Sequence, residues 1–526
     1  MDKGLNKRGR LLLIIIPTLI FSFYLSSKGD IIGILIVSAT GGAVATLILH
    51  YDRRRKVPRR IDERLVLLLL HMYVVSQGDA GPDDLVRVIA ETEDYGYYGR
   101  IFSRIRYLAK RFGYGFTRAV SQVANNVKPP LRDILIRCVE VFSTLNPRGY
   151  LELEFSTIIE EYSGYYLRAI ESIKVLSGIF STFQGVLVFI IMTLSILTIF
   201  TANPDIIYYS YAISIPSTLA IFLGFKSIIP KDYLVHLDKE DPPRTYRAFK
   251  LSLPISLASI APSMVIALLK GIPYSFMMVG ASLILPGILA YKFERFILKV
   301  DEQYPAFVKC LGENMASTSS LKAALSYVLY MELGPLKNLL KRALARVNIG
   351  ISNEKALSLL SAEASSHRIY MTNKMFIDAV NYGGDPLEVG KILGNSCVKF
   401  LEFRKRRESV AKSFEAIILI LQPIIVSLLI ILTHLCKFFS QSLISLPFFN
   451  FGRVPIPIVE MGNIILISFM VVINSLMIRE VRGGFWGTAF LYAGILFLLS
   501  GASWIIAEML MDLAFGQVLK EFEGVI

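Results

Sequence analysis

Recognisable catalytic signatures are what this chain lacks. No GxxxxGK[ST] phosphate loop occurs, which excludes nucleotide hydrolysis through a P-loop. No GxSxG elbow is present, and no pair of carboxylates in a membrane setting suggests an intramembrane protease. The four cysteines, Cys138, Cys310, Cys397 and Cys436, form no CxxC pair, so neither a zinc ribbon nor a disulfide framework is indicated. Five histidines, at 50, 71, 236, 367 and 434, show no HExxH spacing. A metal site would need ligands from distant segments, and a structural role is the expectation for each. No cofactor and no enzymatic activity are expected.

Charge is also scarce. Only 19% of the 526 residues are Asp, Glu, Lys or Arg, against roughly 25% in a soluble domain, while 54% are hydrophobic. A spanning helix needs about 20 mostly apolar residues, because lipid offers the backbone no partners. Nine stretches qualify or nearly do: 11–26, 31–49, 175–201, 206–229, 251–269, 272–291, 414–436, 456–478 and 485–511. The first is short, carries Pro17 and follows a basic start. It reads as an uncleaved signal anchor, since "FYLSSKGD" offers no good small-x-small cleavage site. The organisation expected is two spans over residues 1–50, a helical section over 51–174 and four spans over 175–291 with a short loop at 230–250. A second helical section over 292–413 is followed by three spans and a tail over 414–526.

The net charge of +14 has a ready origin in this layout. "HYDRRRKVPRRIDERL", residues 50–65, holds seven basic residues directly behind an apolar run. Further clusters precede the seventh span and follow the eighth, whereas the opposite loops hold few. That is the positive-inside asymmetry, and it places both large sections in the cytoplasm of a multi-pass cell-membrane protein. Arg53, Arg54, Arg55, Lys56, Arg59 and Arg60 read as a topology anchor that touches anionic lipid. No nucleic-acid partner is expected, because the interleaved aromatics of a binding stripe are missing.

The two large sections echo each other. "IDERL" at 61 is answered by "VDEQY" at 300, and "YGRIFSRI" at 98 by "LGPLKNLL" at 333. "GYGFTRAV" at 113 is answered by "NIGISNEKAL" at 348, and "NPRGYLELE" at 146 by "YGGDPLEVG" at 382. The offsets stay near 235 to 239 residues, the mark of an internal repeat. Val300, Tyr304, Phe307, Val308, Leu311 and Met315 recur at helical spacing, so each copy reads as a small helical bundle. The fold class is therefore all-α: a polytopic membrane protein with about nine transmembrane helices and two repeated cytoplasmic helical bundles. No proline interrupts 151–174 or 387–413, and spans follow directly, which points to helices running rigidly from bundle to bilayer. Short breaks at Ser177-Gly178 and near Ser413 are the alternative.

This pattern resembles the type II secretion F-domain family, which includes the membrane platforms of bacterial type II secretion and type IV pili and of archaella and archaeal pili. The residues that carry the likeness are "VDEQYPAFVKCLGENM", "LGPLKNLL", "YGGDPLEVGKIL" and "FLEFRKRRES". The extra spans after the first copy and the chain length look most like the archaeal branch. The first copy departs more, with "QGDAGPDDL" and "NPRGYLE" in place of tidier counterparts. The resemblance implies a scaffold that couples a hexameric secretion ATPase to the assembly of pilin-like or archaellin subunits, with a homodimer among the assemblies it allows. It makes Asp62, Glu63, Asp301, Glu302, Glu152, Glu388, Arg404, Lys405, Arg406 and Arg407 candidates for partner contacts. The plainer readings are helix-dipole capping for the two Asp-Glu pairs and a lipid anchor for the basic run. Gly149, Gly334, Gly383 and Gly384 are read as tight turns. A polytopic transporter or channel is the rival reading. Against it, the interiors of the third to eighth spans carry no Asp, Glu, Lys or Arg that would mark a path, and only Glu508, near the end of the ninth, breaks the pattern.

Overall fold

The computed structural model describes residues 60–143, 147–201, 203, 205–237, 242–442 and 455–523. The first two apolar runs, and Arg53, Arg54, Arg55, Lys56 and Arg59, lie outside them. Among the described residues every regular element is helical, apart from one antiparallel bridge between Val235 and Ser366.

Six helices open the described chain: α1 Glu63–Val75, α2 Pro82–Glu91, α3 Tyr97–Arg111, α4 Gly115–Ala124, α5 Leu131–Arg137 and α6 Arg148–Thr201. After α7 Asp205–Ile228, α8 Arg244–Ala258 and α9 Ile260–Lys270, the order recurs. It runs α10 Ile272–Thr318, α11 Leu321–Val328, α12 Leu336–Asn348, α13 Asn353–Ala364, α14 His367–Asn381 and α15 Pro386–Ser442. Helix starts at 82, 97, 115, 131 and 148 recur at 321, 336, 353, 367 and 386, an offset of 236 to 239. The pairing of "YGRIFSRI" with "LGPLKNLL" at an offset of 235 is thus about one helical turn out of register. Two last helices, α16 Ile456–Arg482 and α17 Thr488–Glu523, complete the described residues.

Seven helices among the described residues are long and apolar enough to cross a membrane, with α8 and α9 counted together across the break at Ser259. The chain is a multi-pass membrane protein. Helices α6 and α15 run unbroken through Ser177-Gly178 and Ser413, for 54 and 57 residues. At 1.5 Å per residue each is roughly 80 Å long, enough to cross a bilayer and reach far beyond it. Helix α10 also enters its bundle directly from the membrane, so the second bundle hangs from the bilayer by both ends.

The bundles do not have separate interiors. One continuous core joins Leu65, Leu69, Tyr95 and Ile158 of the first to Phe307, Leu360, Met375 and Leu393 of the second. The seam is close. Asp79 N donates to Tyr382 O at 2.8 Å, and a Cβ on Gly78 would stand 2.2 Å from that same carbonyl. The departing stretch "QGDAGPDDL" is therefore the surface that receives the Tyr382–Gly384 turn of the other copy.

Gly334 and Gly383 do form turns, with φ of +47° and +83° that favour glycine. Beside Gly383, the Gly384 amide returns to Ala379 O at 2.9 Å, closing the end of α14. Gly149 is different: it lies within the first turn of α6 and makes no tight turn.

Candidate functional site at the bundle and membrane junction

Where α6 and α15 leave the bundles, aromatic rings lock them together. Tyr162 and Tyr166 of α6 pack on Phe403 of α15 with centroids 5.8 and 5.3 Å apart. One stripe of α15 carries Phe400, Phe403, Arg404, Arg407, Ala411 and Phe414 inward, since spacings of three and four residues share a helix face. Two cations of the basic run are thereby drawn inside, while Lys405 and Arg406 stay exposed.

Arg407 is only 2% exposed and fully engaged. Its guanidinium donates to Asp232 Oδ2 at 2.8 Å, to Pro230 O at 3.0 Å, and to Val481 O and Glu480 O at 2.7 Å each. The last two carbonyls end α16, so the cation caps that helix where its dipole is negative. Tyr166 donates to the same Asp232 oxygen at 2.8 Å. One buried pair thus ties α6, the 230–237 linker, α15 and α16 together. Gly483 follows with φ +70°, and a Cβ there would lie 2.5 Å from the Arg407 guanidinium.

Two further pairs surround it. Asp301 accepts from Arg404 Nη1 at 2.9 Å and from the Ser366 hydroxyl, which itself caps α14 by accepting from Ile369 N at 3.3 Å. Glu63 accepts from Tyr233 N at 3.2 Å and faces Arg368 Nη2 at 3.5 Å, with the Arg368 guanidinium over the Phe400 ring. Arg368 Nη1 is buried without a hydrogen-bond partner. Burial pushes the Glu63 carboxyl above its ordinary range, opposed by Arg368. Taking such charges from water costs several kcal/mol per ion, and only good geometry offsets it.

The expected contacts therefore divide. Glu63, Asp301, Arg404 and Arg407 are internal and cannot bind a partner or lipid while paired. Asp301 and Glu302 are not at a helix start, because α10 has already run from Ile272. Asp62 does cap α1, accepting from Leu65 N at 3.1 Å and from the Tyr98 hydroxyl at 2.9 Å. Glu302 and Lys405 pair at 3.3 Å on the surface, 53% and 68% exposed, where such a bond contributes little. Glu152 is exposed and Glu388 half-buried, and both act on Tyr73, whose phenol burial pushes up with their help. Both glutamates of the repeat thus lie in the neighbourhood of Tyr73. Arg60 is exposed and lies 5.7 Å from the Tyr165 ring.

Sequence reasoning missed Tyr166, Asp232, Ser366 and Arg368, whose partners lie 65 to 305 residues away. It also missed a grouping of histidines. His367, Asp94 and His236 come together, with His367 Nδ1 4.0 Å from Asp94 Oδ1. Burial, His236 and the guanidiniums of Arg64 and Arg368 push the His367 imidazole down to about 3, so it is neutral and the contact is no ion pair.

Within the spans, Gln184, Asn474, Gln422 and Ser500 join four helices. Gln184 Nε2 donates to Asn474 Oδ1 at 2.6 Å, Asn474 Nδ2 to Gln422 Oε1 at 2.9 Å, and Gln422 Nε2 to Ser500 Oγ at 3.2 Å. These buried amides satisfy one another, as polar groups that hold membrane helices together do.

No protein-family model matches the chain, and no solved structure does. Two curated proteins match across most of it. Flagella accessory protein J of Methanocaldococcus jannaschii is 22% identical over 452 residues, covering 79% of this chain and 78% of that protein. Flagella accessory protein J of Methanococcus voltae is 24% identical over 449 residues, with the same coverage. This chain is a relative of flagella accessory protein J. The shared region of a J-type protein, at this coverage, must include much of both bundles and the spans between them. The likeness thus agrees with the F-domain resemblance of the sequence.

Proposed function

We propose that this chain is the integral membrane platform of an archaeal type IV filament machine, and more narrowly of an archaellum. On this reading a cytoplasmic secretion ATPase docks on the two bundles, and its movement reaches archaellin or pilin-like subunits through the spans. The protein hydrolyses no nucleotide itself. Both bundles face the cytoplasm, in line with the Lys and Arg that flank the inner ends of the spans.

The observation that carries the proposal is the pair of uninterrupted helices, α6 and α15, which leave one fused double bundle and cross the membrane. A scaffold that transmits displacement needs such rods; a docking module alone does not. The similarity to flagella accessory proteins supplies the filament context. The ATPase contact we propose is the region of Glu152 and Glu388, which, unlike Glu63, are not enclosed in the junction.

Cells whose own copy is deleted, complemented with E152K/E388K, test this assignment. The variant is expected to reach the membrane at normal abundance and to assemble no filaments. Filaments of normal number would remove that region from the proposal.

A further inference from the structure

The group formed by Asp94, His236 and His367 brings together three parts of the molecule. Asp94 lies in the single turn 93–95 of the first bundle, His236 in the 230–237 linker between spans, and His367 at the start of α14 in the second bundle. One ligand atom from each lies within 4.8 Å of the others.

Backbone geometry sets this up. The antiparallel bridge pairs Val235 with Ser366, with His236 N donating to Ser365 O at 2.9 Å and His367 N to Leu234 O at 3.0 Å. Side chains alternate across such a pairing, so His236 and His367 point to the face opposite Val235 and Ser366, as diagonal neighbours within reach of each other. The His236 ring is held flat against Tyr370 with centroids 3.7 Å apart, and Tyr233 packs beside His367 at 5.5 Å. Asp94 is fixed through its neighbour Tyr95, whose hydroxyl bonds His71 Nδ1 at 3.0 Å in the core of the first bundle. Three donors are thus positioned by contacts that do not depend on one another.

We propose that Asp94, His236 and His367 form a zinc site that clamps the inter-span linker to both bundles. Two imidazole nitrogens and one carboxylate oxygen suit zinc, which takes four ligands at about 2.0 to 2.2 Å, and a water completes the set. Magnesium and calcium prefer all-oxygen shells and are disfavoured here. The Asp94 side chain keeps 25% of its surface, which gives the ion and its water a way in. The donors, now within 4.8 Å of one another, draw closer around the ion in the proposed site. Bound zinc would tie the linker segment that carries Asp232 and Tyr233 against both bundles, four residues or fewer from the charge junction, and stiffen the transmission path.

The test uses the full chain in detergent, purified through a tag without histidines, stripped with EDTA and titrated with zinc and with cobalt(II). Wild type is expected to retain one equivalent of zinc by elemental analysis. With cobalt(II) it is expected to show the visible absorption of a four-coordinate site, and its melting temperature should rise with zinc. The partly exposed His236→Gln is expected to weaken zinc binding by more than about a hundredfold, beyond what loss of a supporting group alone causes. D94N and H367A are expected to weaken it as well. Wild type that binds no zinc, shows no cobalt spectrum, or binds equally well as H236Q would overturn the proposal. Because the cobalt spectrum is read on wild type, a variant that fails to fold does not blunt the result.

Discussion

Arg407 shows how a single cation can decide whether a junction exists. Its replacement by Met leaves Asp232 buried with Tyr166 alone and strips the end of α16 of its donor. The expected cost is about 3–5 kcal/mol, the range for breaking a buried pair by removing one partner. R407M/D232N is expected to lie closer to wild type in thermal denaturation in detergent than R407M does. Additive losses would mean that the pair itself is unimportant. His71 gives a second test at this scale. Burial lowers its imidazole below the ordinary value despite the Asp378 carboxylate beside it at 3.0 Å. Below about pH 6.5 the unfolded chain therefore binds a proton that the folded one refuses, so stability is lost as the pH falls. H71Q is expected to flatten the drop in melting temperature between pH 7.5 and 5.5, and an unchanged drop would assign it to other groups.

Among the elements, the crossing of α10 and α17 depends on glycine. A Cβ on Gly287 would stand 2.4 Å from the Leu491 backbone, and one on Gly280 or Gly494 about 2.8 Å from the opposite helix. These glycines recur at seven-residue spacing along both helices, at 280 and 287 in α10 and at 494 and 501 in α17, so the backbones touch along a seam. Gly494→Val is expected to cost about 1–3 kcal/mol through overpacking, read as a lower melting temperature. A neutral effect would mean the seam can open. The spans themselves were legible because lipid imposes apolar runs of known length, and the repeat was legible because its turns reuse glycine. The register of the repeat was not, since helices tolerate a one-turn slip in apolar pattern. Nor were the ion pairs: "RKRR" reads as surface charge, and only the stripe through Phe400, Phe403, Ala411 and Phe414 reveals that Arg404 and Arg407 turn inward. The fused core was hidden for a similar reason. Buried faces on two repeats look the same in sequence whether they pack within a copy or between copies.

For the whole molecule, the claim is that one double bundle, rigidly continued into the bilayer by α6 and α15, receives an ATPase below and filament subunits above. Continuity itself can be tested. Proline at Ser177 or Gly178 would break the helical ladder of α6 between bundle and span. Such a variant is expected to insert and retain both bundles but to lose filament assembly; normal assembly would deny α6 a mechanical role. Partner identity tests the account most directly. The measurement is mild cross-linking of native membranes, purification of the solubilised protein and mass spectrometry of what accompanies it. The expected result is a secretion-type ATPase together with a pilin-like subunit, with the ATPase lost from E152K/E388K. Recovery of neither from wild type, and of a soluble substrate-binding protein instead, would contradict the platform reading and favour transport.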